Sequence, residues 1–169
     1  MRKAGNTGLK IETAERISAE ELVARYSKTI YRIALARLGN HHEAEDITQD
    51  VLLKYIKADV TFNDEDHRRK WLIKVAVNAI NSLATSAWKR HTADLSEAYE
   101  IPDSDSETQT IDIRSAVMQL PEKYRVPIHL FYYENFSVRE IAEITSSSEG
   151  TVKSQLSRAR AKLKELLEE

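Results

Sequence analysis

One stretch of the chain combines the residue types that bind single-stranded nucleic acid. Between His67 and His91, apolar residues recur at helical spacing, and the opposite helix face carries cations, side-chain amides and an indole but no carboxylate. Cations contact phosphates, amides contact base edges, and an indole stacks on an unpaired base. The spacing alone is equally compatible with a basic, solvated face whose Trp is partly buried. The residues of this face are Lys74, Asn78, Asn81, Thr85, Trp88 and Lys89.

A second candidate site, near the C-terminus, has the pattern of a helix-turn-helix. Ser137 and Ser148 each precede an apolar helical period, and a Ser/Thr-rich turn separates the two periods. Small side chains on the second helix permit close approach to the major groove, where Lys153 and Arg158 can reach guanine edges or phosphates. A helical hairpin with a solvated basic face is the alternative. The candidate DNA contacts are Lys153, Ser154, Ser157, Arg158 and Arg160.

A third surface has the composition of a protein-docking site. The segment from His42 to Lys57 predicts a helix whose exposed face is acidic. Acids on such a face are usually only solvated. An exposed Leu among them, however, is typical of a surface that binds a basic, partly apolar partner. The residues of this face are Asp46, Gln49, Asp50 and Leu53.

The elements that carry these surfaces are all predicted to be helices. The chain of 169 residues has four Gly and three Pro, and no clear run of strict apolar–polar alternation. A first helix is expected from Ser18 to a stop at Gly39. Capping boxes are expected where Ser18 precedes Glu21 and where Ser137 precedes Glu140. The predicted fold class is therefore all-α.

The charge distribution divides the chain into two domains. Residues 67–93 contain six Lys/Arg and no acid, whereas residues 93–113 contain seven Asp/Glu and no base. Residues 152–164 are basic again, with five Lys/Arg and no acid. The acidic block is rich in Ser and Thr, which predicts a flexible linker between two small domains. The predicted organisation is a frayed tail at 1–17, a first domain at 18–92, an acidic linker at 93–112 and a second domain at 113–169.

The composition also argues against several classes of function. Without Cys there is no disulfide, Cys-type zinc site or iron–sulfur cluster. The five His are scattered and no Gly-rich phosphate-binding pattern is present, so we expect neither a metal nor a cofactor, and no enzyme activity. The sequence has no apolar run long enough to span a membrane and no apolar secretory signal, which predicts a cytoplasmic protein.

The segments that carry the three surfaces resemble, in the same order, the bacterial extracytoplasmic-function sigma factors of the sigma-70 family. The matching segments are EDITQDVLLKYIK, WLIKVAVNAINS with the trailing WKR, LPEKYRVPIHLFYYENFSVREIAEI and SEGTVKSQLSRARAKL. The resemblance covers about residues 20–168, and the joint presence and order of the segments make it specific. The last segment alone would also fit other helix-turn-helix regulators.

The resemblance implies an RNA polymerase subunit made of a sigma region 2 bundle and a sigma region 4 helix-turn-helix. Region 2 would dock on the polymerase clamp and open the −10 promoter element, and region 4 would bind the −35 element as duplex. By motif position, the clamp contacts would be Asp46, Gln49, Asp50 and Leu53. The −10 contacts would be Lys74, Asn78, Asn81, Trp88, Lys89 and Arg90, with residues 59–67 as the loop that captures a flipped base. The −35 contacts would be Lys153, Ser154, Ser157 and Arg158.

The same resemblance implies three kinds of partner: core RNA polymerase, promoter DNA and an anti-sigma factor. Anti-sigma factors commonly hold family members inactive and are often anchored in the membrane. The acidic linker would run through the polymerase channel toward the RNA exit. No catalytic site and no cofactor are implied.

Two departures from the family pattern affect region 4. Thr145, Ser146 and Ser147 stand where the family usually has an apolar residue, a Gly and another apolar residue, which implies a less rigid turn. Pro127 stands where many members have another residue, and it is expected to kink or restart its helix.

An ordinary helix-turn-helix regulator with a sensing or dimerisation domain at residues 1–92 is the alternative function. Such a protein should lack a DNA-binding face in its first domain. The face that contains Lys74, Asn78, Asn81 and Trp88 therefore argues against it.

Overall fold

The computed structural model describes residues 15–91 and 109–168, with side chains described for residues 15–86 and 113–168. These ranges contain seven helices, which confirms the all-α fold class. The helices are α1 (Ala19–Leu38), α2 (His41–Lys57), α3 (Glu65–His91), α4 (Gln109–Gln119), α5 (Glu122–Tyr132), α6 (Val138–Thr145) and α7 (Glu149–Glu168).

Helices α1, α2 and α3 form the first bundle, in which each helix packs against the other two. The apolar stripes expected from helical spacing face one another in its core. Leu22 and Ile30 of α1, Val51 of α2, and Leu72 and Ile80 of α3 are completely buried. Burial of these stripes fixes the rotation of each helix, and therefore decides which residues face solvent.

Local polar signals begin and end the helices as the sequence predicts, with one difference. Ser18 Oγ accepts from the Glu21 N–H at 3.2 Å, and Gly39 takes a left-handed φ of 66° that closes α1. At α1 only this half of the predicted capping box forms, because the Glu21 carboxylate pairs with Arg25. At α6 the predicted capping box is complete, and the Ser137 N–H donates to the Glu140 carboxylate at 2.9 Å.

Residues 15–17, which the sequence places in a frayed tail, contact the first bundle. The Arg16 guanidinium donates to the carbonyls of Tyr55, Ile56 and Ala58 at the end of α2. The Glu15 carbonyl accepts from Arg68 of α3. Arg16 thus adds a donor to carbonyls at the C-terminal end of α2, a long-range role that composition does not reveal.

Helices α4 to α7 form the second bundle, in which α4, α5 and α6 all pack on α7. Helix α4 begins at Gln109, inside the stretch that the sequence assigns to the linker, so the helical part starts earlier than predicted. Helix α5 continues through Pro127 without restarting. Pro127 is itself buried.

Hydrogen bonds close the turn of the helix-turn-helix in place of apolar packing. Ser146 takes a left-handed φ of 53° and donates its N–H to Ala142, and the Ser147 N–H donates to the same carbonyl at 3.0 Å. The Thr145 hydroxyl donates to Ile141 O and lies 2.6 Å from the Ser147 hydroxyl. These polar residues therefore hold the turn through their own local bonds.

The two bundles pack against each other in this structure. Helix α5 contacts α1, and α6 contacts α3. None of the helices in the described ranges is long and apolar enough to cross a membrane.

Candidate nucleic-acid and protein-docking surfaces

The polar face of α3 lies in solvent, as helical spacing predicts. Lys74, Asn78 and Asn81 are exposed, whereas Ala76 and Ile80, on the opposite side of the same helix, have no exposed surface. A rigid helix anchored on its apolar side therefore presents an ammonium and two amides together. This arrangement suits contacts to a nucleic-acid backbone and to base edges.

The C-terminal part of this face extends past the described side chains. Trp88, Lys89 and Arg90 belong to the end of α3, which runs to His91, and their side chains lie outside the described part of the structure. Thr85 is exposed, but its hydroxyl donates to Asn81 O within the helix.

The segment before α3 is shorter and better anchored than the predicted loop at 59–67. Helix α3 already begins at Glu65, so residues 65–67 are helical. Phe62 is buried, stacks on Tyr55 at 5.8 Å between ring centroids and meets Trp71 edge-on at 5.7 Å. This aromatic cluster fixes the middle of the loop and leaves its polar residues in solvent. In the sequence, Phe62 is the single aromatic residue of an acidic stretch, and this was the signal that could have predicted a buried anchor in the loop.

Arg68 is a member of the basic block that the fold removes from the surface. It has 2% of its surface exposed, lies over the Phe62 ring and pairs with Glu65. The buried guanidinium therefore stabilises the first bundle through these contacts and is not available to the nucleic-acid face.

The acidic face of α2 is exposed as predicted, and two apolar neighbours extend it. Asp46, Gln49 and Asp50 face solvent, and Leu53 is 48% exposed. The neighbours that sequence analysis missed are Ile56 and Val60, which are also large and exposed. Ile56 follows Leu53 at i+3, the spacing that places both on one helix face. The surface is therefore more apolar than predicted, which suits a protein partner.

The predicted DNA-contacting residues of α7 share one exposed face. Val152, Leu156 and Ala159 are buried against the rest of the second bundle. That packing turns the opposite side of the helix outward. The exposed residues are Lys153, Ser154, Ser157, Arg158 and Arg160. Arg160 differs from the others because its Nε donates to Leu156 O at 3.2 Å within the helix.

A shallow concavity at the start of α7 brings one further cation to this face. Ser154 and Arg158 line it together with Lys123 of α5 and the cap residue Ser148. Ser148 Oγ accepts from the Thr151 N–H at 3.1 Å, which begins α7. Lys123 lies outside the helix-turn-helix segment, so its proximity follows from the packing of α5 and not from a local pattern.

Two family descriptions match this chain, one for each bundle. Sigma-70 region 2 matches residues 22–90, and sigma-70 region 4 matches residues 110–163. Among curated proteins, the ECF RNA polymerase sigma factor SigM of Mycobacterium tuberculosis is 29% identical, over 90% of this chain and 79% of its own length. The ECF RNA polymerase sigma factor SigW of Bacillus subtilis is 28% identical, over 94% of this chain and 93% of its own length.

The chain belongs to the extracytoplasmic-function sigma factors of the sigma-70 family. This confirms the resemblance carried by the sequence motifs, and it disfavours a helix-turn-helix regulator that acts outside RNA polymerase. The solved structures include a relative with a similar fold. The sigma factor RpoE, in complex with the anti-sigma factor NepR from Bartonella quintana, matches with a TM-score of 0.75 and 25% identity, covering 88% of this chain and 96% of that one.

Region 2 of this sigma factor (α1–α3) and region 4 (α4–α7) are joined by charged contacts. Lys70 Nζ lies 2.9 Å from Glu140 Oε1, and Arg69 Nη2 lies 3.0 Å from Glu134 Oε2. We call these four residues the interdomain clasp. Arg37 and Glu122 form a further ion pair between α1 and α5.

The clasp shifts the ionisation of its own carboxylates. The Lys70 ammonium and the N–H and hydroxyl of Ser137 lower the pKa of Glu140 to about 2. The His129 imidazole, 3.4 Å away, and the Arg69 guanidinium hold the pKa of Glu134 below its usual value. Both carboxylates are therefore charged at neutral pH and able to hold a cation.

Proposed function

We propose that this sigma factor binds core RNA polymerase through α2, opens the −10 promoter element with α3 and binds the −35 element with α7. The observation that carries the proposal is the presence of two basic faces on separate helical bundles, each fixed outward by a buried apolar stripe. One face has the amides suited to unpaired bases, and the other has the shape of a major-groove helix.

The −10 element is assigned to Lys74, Asn78 and Asn81, which face solvent along one side of α3. Lys74 would neutralise a backbone phosphate, and the two amides can each donate to and accept from a base edge. Trp88 would stack on an unpaired base, with Lys89 and Arg90 on the adjacent backbone. The anchored loop before α3 would provide the pocket for a flipped base.

The −35 element is assigned to the exposed side of α7. The first turns of this helix would enter the major groove, where Ser154 and Ser157 are small enough to allow close approach. Lys153 and Arg158 would contact guanine edges or phosphates, and Arg160 would contact phosphates further along the backbone.

The polymerase clamp is assigned to the exposed α2 face. Asp46 and Asp50 would pair with basic residues of the clamp, while Gln49 would add a hydrogen bond. Leu53 and its exposed neighbour Ile56 would be buried against the clamp, and this apolar burial would stabilise the complex beyond the charged contacts. Polymerase would supply the catalytic site, and this subunit would contribute none.

An anti-sigma factor completes the set of proposed partners. The related RpoE chain was solved with its anti-sigma factor NepR, and its match extends over nearly all of that chain. We place the protein in the cytoplasm, with an anti-sigma factor that holds it there until a signal releases it. Residues 93–112, most of which lie outside the described ranges, would link the two regions within polymerase.

Transcription from a promoter library by core polymerase, with and without the protein, tests this function. The expected result is a set of start sites that appears only when the protein is added, with shared sequences near −35 and −10. Replacement of Lys74 and Arg158 by Ala should abolish these starts. Start sites that are the same with and without the protein would overturn the proposal.

A further inference from the structure

The nucleic-acid face of α3 begins one turn earlier than the sequence pattern indicates. At 100° per residue, Lys70 lies on the same stripe as Lys74, Asn78 and Asn81. In this structure, however, Lys70 is not available to a ligand. Its ammonium is held by Glu140, which lies in the first turn of α6, the first helix of the helix-turn-helix.

Arg69, the neighbouring cation, makes more contacts with region 4 than Lys70 does. Arg69 Nη2 donates to both the Glu134 carboxylate at 3.0 Å and the Glu134 carbonyl at 2.7 Å. The same guanidinium lies 4.3 Å from the centre of the Phe136 ring, which is buried. Two cations of region 2 are thus covered by two carboxylates and an aromatic ring of region 4.

This arrangement is incompatible with binding both promoter elements at once. With a rise of 1.5 Å per helical residue and at most 3.6 Å per turn residue, the path from Trp88, at the far end of the −10 face, through the Lys70–Glu140 pair to Arg158 is at most about 75 Å, even if every segment lay on one line. The −35 and −10 elements are separated by about 25 base pairs, or roughly 85 Å of duplex at 3.4 Å per base pair. The two regions must therefore separate before the protein can engage a promoter.

We propose that the interdomain clasp is a self-inhibiting contact in which Glu134 and Glu140 occupy Arg69 and Lys70, and that DNA phosphates displace them when region 4 moves away. The inference rests on the proposed function, because only a promoter requires the regions to separate. It adds Arg69 and Lys70 to the nucleic-acid surface, at its upstream end. The side chains of Lys70 and Glu140 are both about one third exposed, so this pair is weak and sensitive to salt, as a reversible contact requires. Glu134 is more deeply buried, at 11% exposed, so the Arg69–Glu134 pair is the stronger half of the clasp.

Energy transfer between two dyes tests the closed state directly. The chain has no Cys, so Cys introduced at the exposed positions Ala24 of α1 and Ala161 of α7 can be labelled uniquely. The double variant Glu134→Gln/Glu140→Gln removes both clasp charges, and Gln at position 140 can still complete the capping box of α6. Glu168→Gln is the matched control, since Glu168 is exposed and pairs with Lys164 of its own helix.

The transfer efficiency of the free protein should fall in the double variant, and in the parent at high salt, but not in the control. An unchanged efficiency in the double variant would overturn the clasp. This measurement uses neither polymerase nor promoter. A protein that closes as expected but fails to direct core polymerase would instead overturn the proposed function.

Binding of a fluorescein-labelled, mixed-sequence single strand of DNA tests the competition. The double variant should bind about threefold or more tightly than the parent, since the two ion pairs no longer compete with the phosphates. Addition of Lys70→Ala to the double variant should remove part of that gain and leave the part that Arg69 contributes. Equal affinity of the parent and the double variant would reject Arg69 and Lys70 as DNA contacts.

Discussion

Glu140 has two structural roles, because it completes the capping box with Ser137 and also pairs with Lys70 of the other region. Its carboxylate accepts from the Ser137 N–H at 2.9 Å and lies 2.9 Å from the Lys70 ammonium. A single side chain thus begins the first helix of the helix-turn-helix and attaches that helix to region 2. Loss of its charge should therefore affect both local helix stability and the contact between regions.

The first prediction concerns acid stability. Because folding lowers the pKa of Glu140 from 4.5 to about 2, its contribution to the free energy of unfolding is complete above about pH 4.5 and is lost as the pH falls through about 2. Glu140→Gln should cost about 1 kcal/mol at pH 7, and the difference from the parent should shrink toward pH 2. Urea unfolding at several pH values measures this. A difference that stays constant with pH, or that Glu168→Gln reproduces, would exclude the assignment.

The second prediction concerns the acidic face of α2. Asp50→Arg places a cation where the polymerase clamp is proposed to supply cations, so affinity for core polymerase should fall by about tenfold or more. The helix should remain folded because Asp50 is exposed. Glu20→Arg, an equal change of charge at an exposed position of α1, is the control. Fluorescence anisotropy with labelled protein measures both, and equal affinities for the two variants would contradict the clamp assignment.

The third prediction concerns the −35 contacts. Lys153→Ala or Arg158→Ala should each weaken binding to −35 duplex by about 1–3 kcal/mol if the side chain contacts a base, and should relax sequence preference at one position. Lys162→Ala is a suitable control, because Lys162 lies on the same helix and pairs with Glu165. The measurement is the affinity of the isolated holoenzyme for −35 duplex. Unchanged promoter selectivity in both variants would remove these residues from the interface.

The sequence could predict which face of each helix is buried and which face is exposed. A helix with one apolar stripe has only one way to bury it, so the exposure of Lys74, Asp50 and Ser157 follows from the spacing of their apolar neighbours. The same argument missed Ile56 and Val60, because an exposed apolar residue breaks the rule on which the argument depends.

Long-range polar contacts were not predictable in the same way. Arg68 belongs to a run of cations, yet its partners include the Glu15 carbonyl, 53 residues away, and it is buried. Arg69 pairs with Glu134 across 65 residues. Such contacts depend on how the bundles pack, and no local spacing encodes them. The clasp therefore became visible only in the structure.

The fourth prediction concerns the loop before α3. Phe62→Ala should destabilise region 2 by about 3–5 kcal/mol, because the ring is buried between Tyr55 and Trp71 and its loss leaves a cavity. Val60→Ala, in the same loop but exposed, should change the free energy of unfolding by less than about 0.5 kcal/mol. Thermal and urea unfolding measure both. Similar small effects for the two variants would mean that the loop is not anchored by its aromatic ring.

The fifth prediction separates promoter opening from promoter binding. Trp88 lies near the end of α3 and is proposed to stack on an unpaired base. The face of such a base is accessible only after the strands separate. Trp88→Ala should therefore reduce strand opening, measured by 2-aminopurine fluorescence at the −10 element, more than it reduces formation of the closed complex. Trp88→Phe keeps an aromatic face and should restore much of the opening. If the Ala variant lost both steps equally, the indole would be acting on duplex DNA or on the fold, and the stacking role would be rejected.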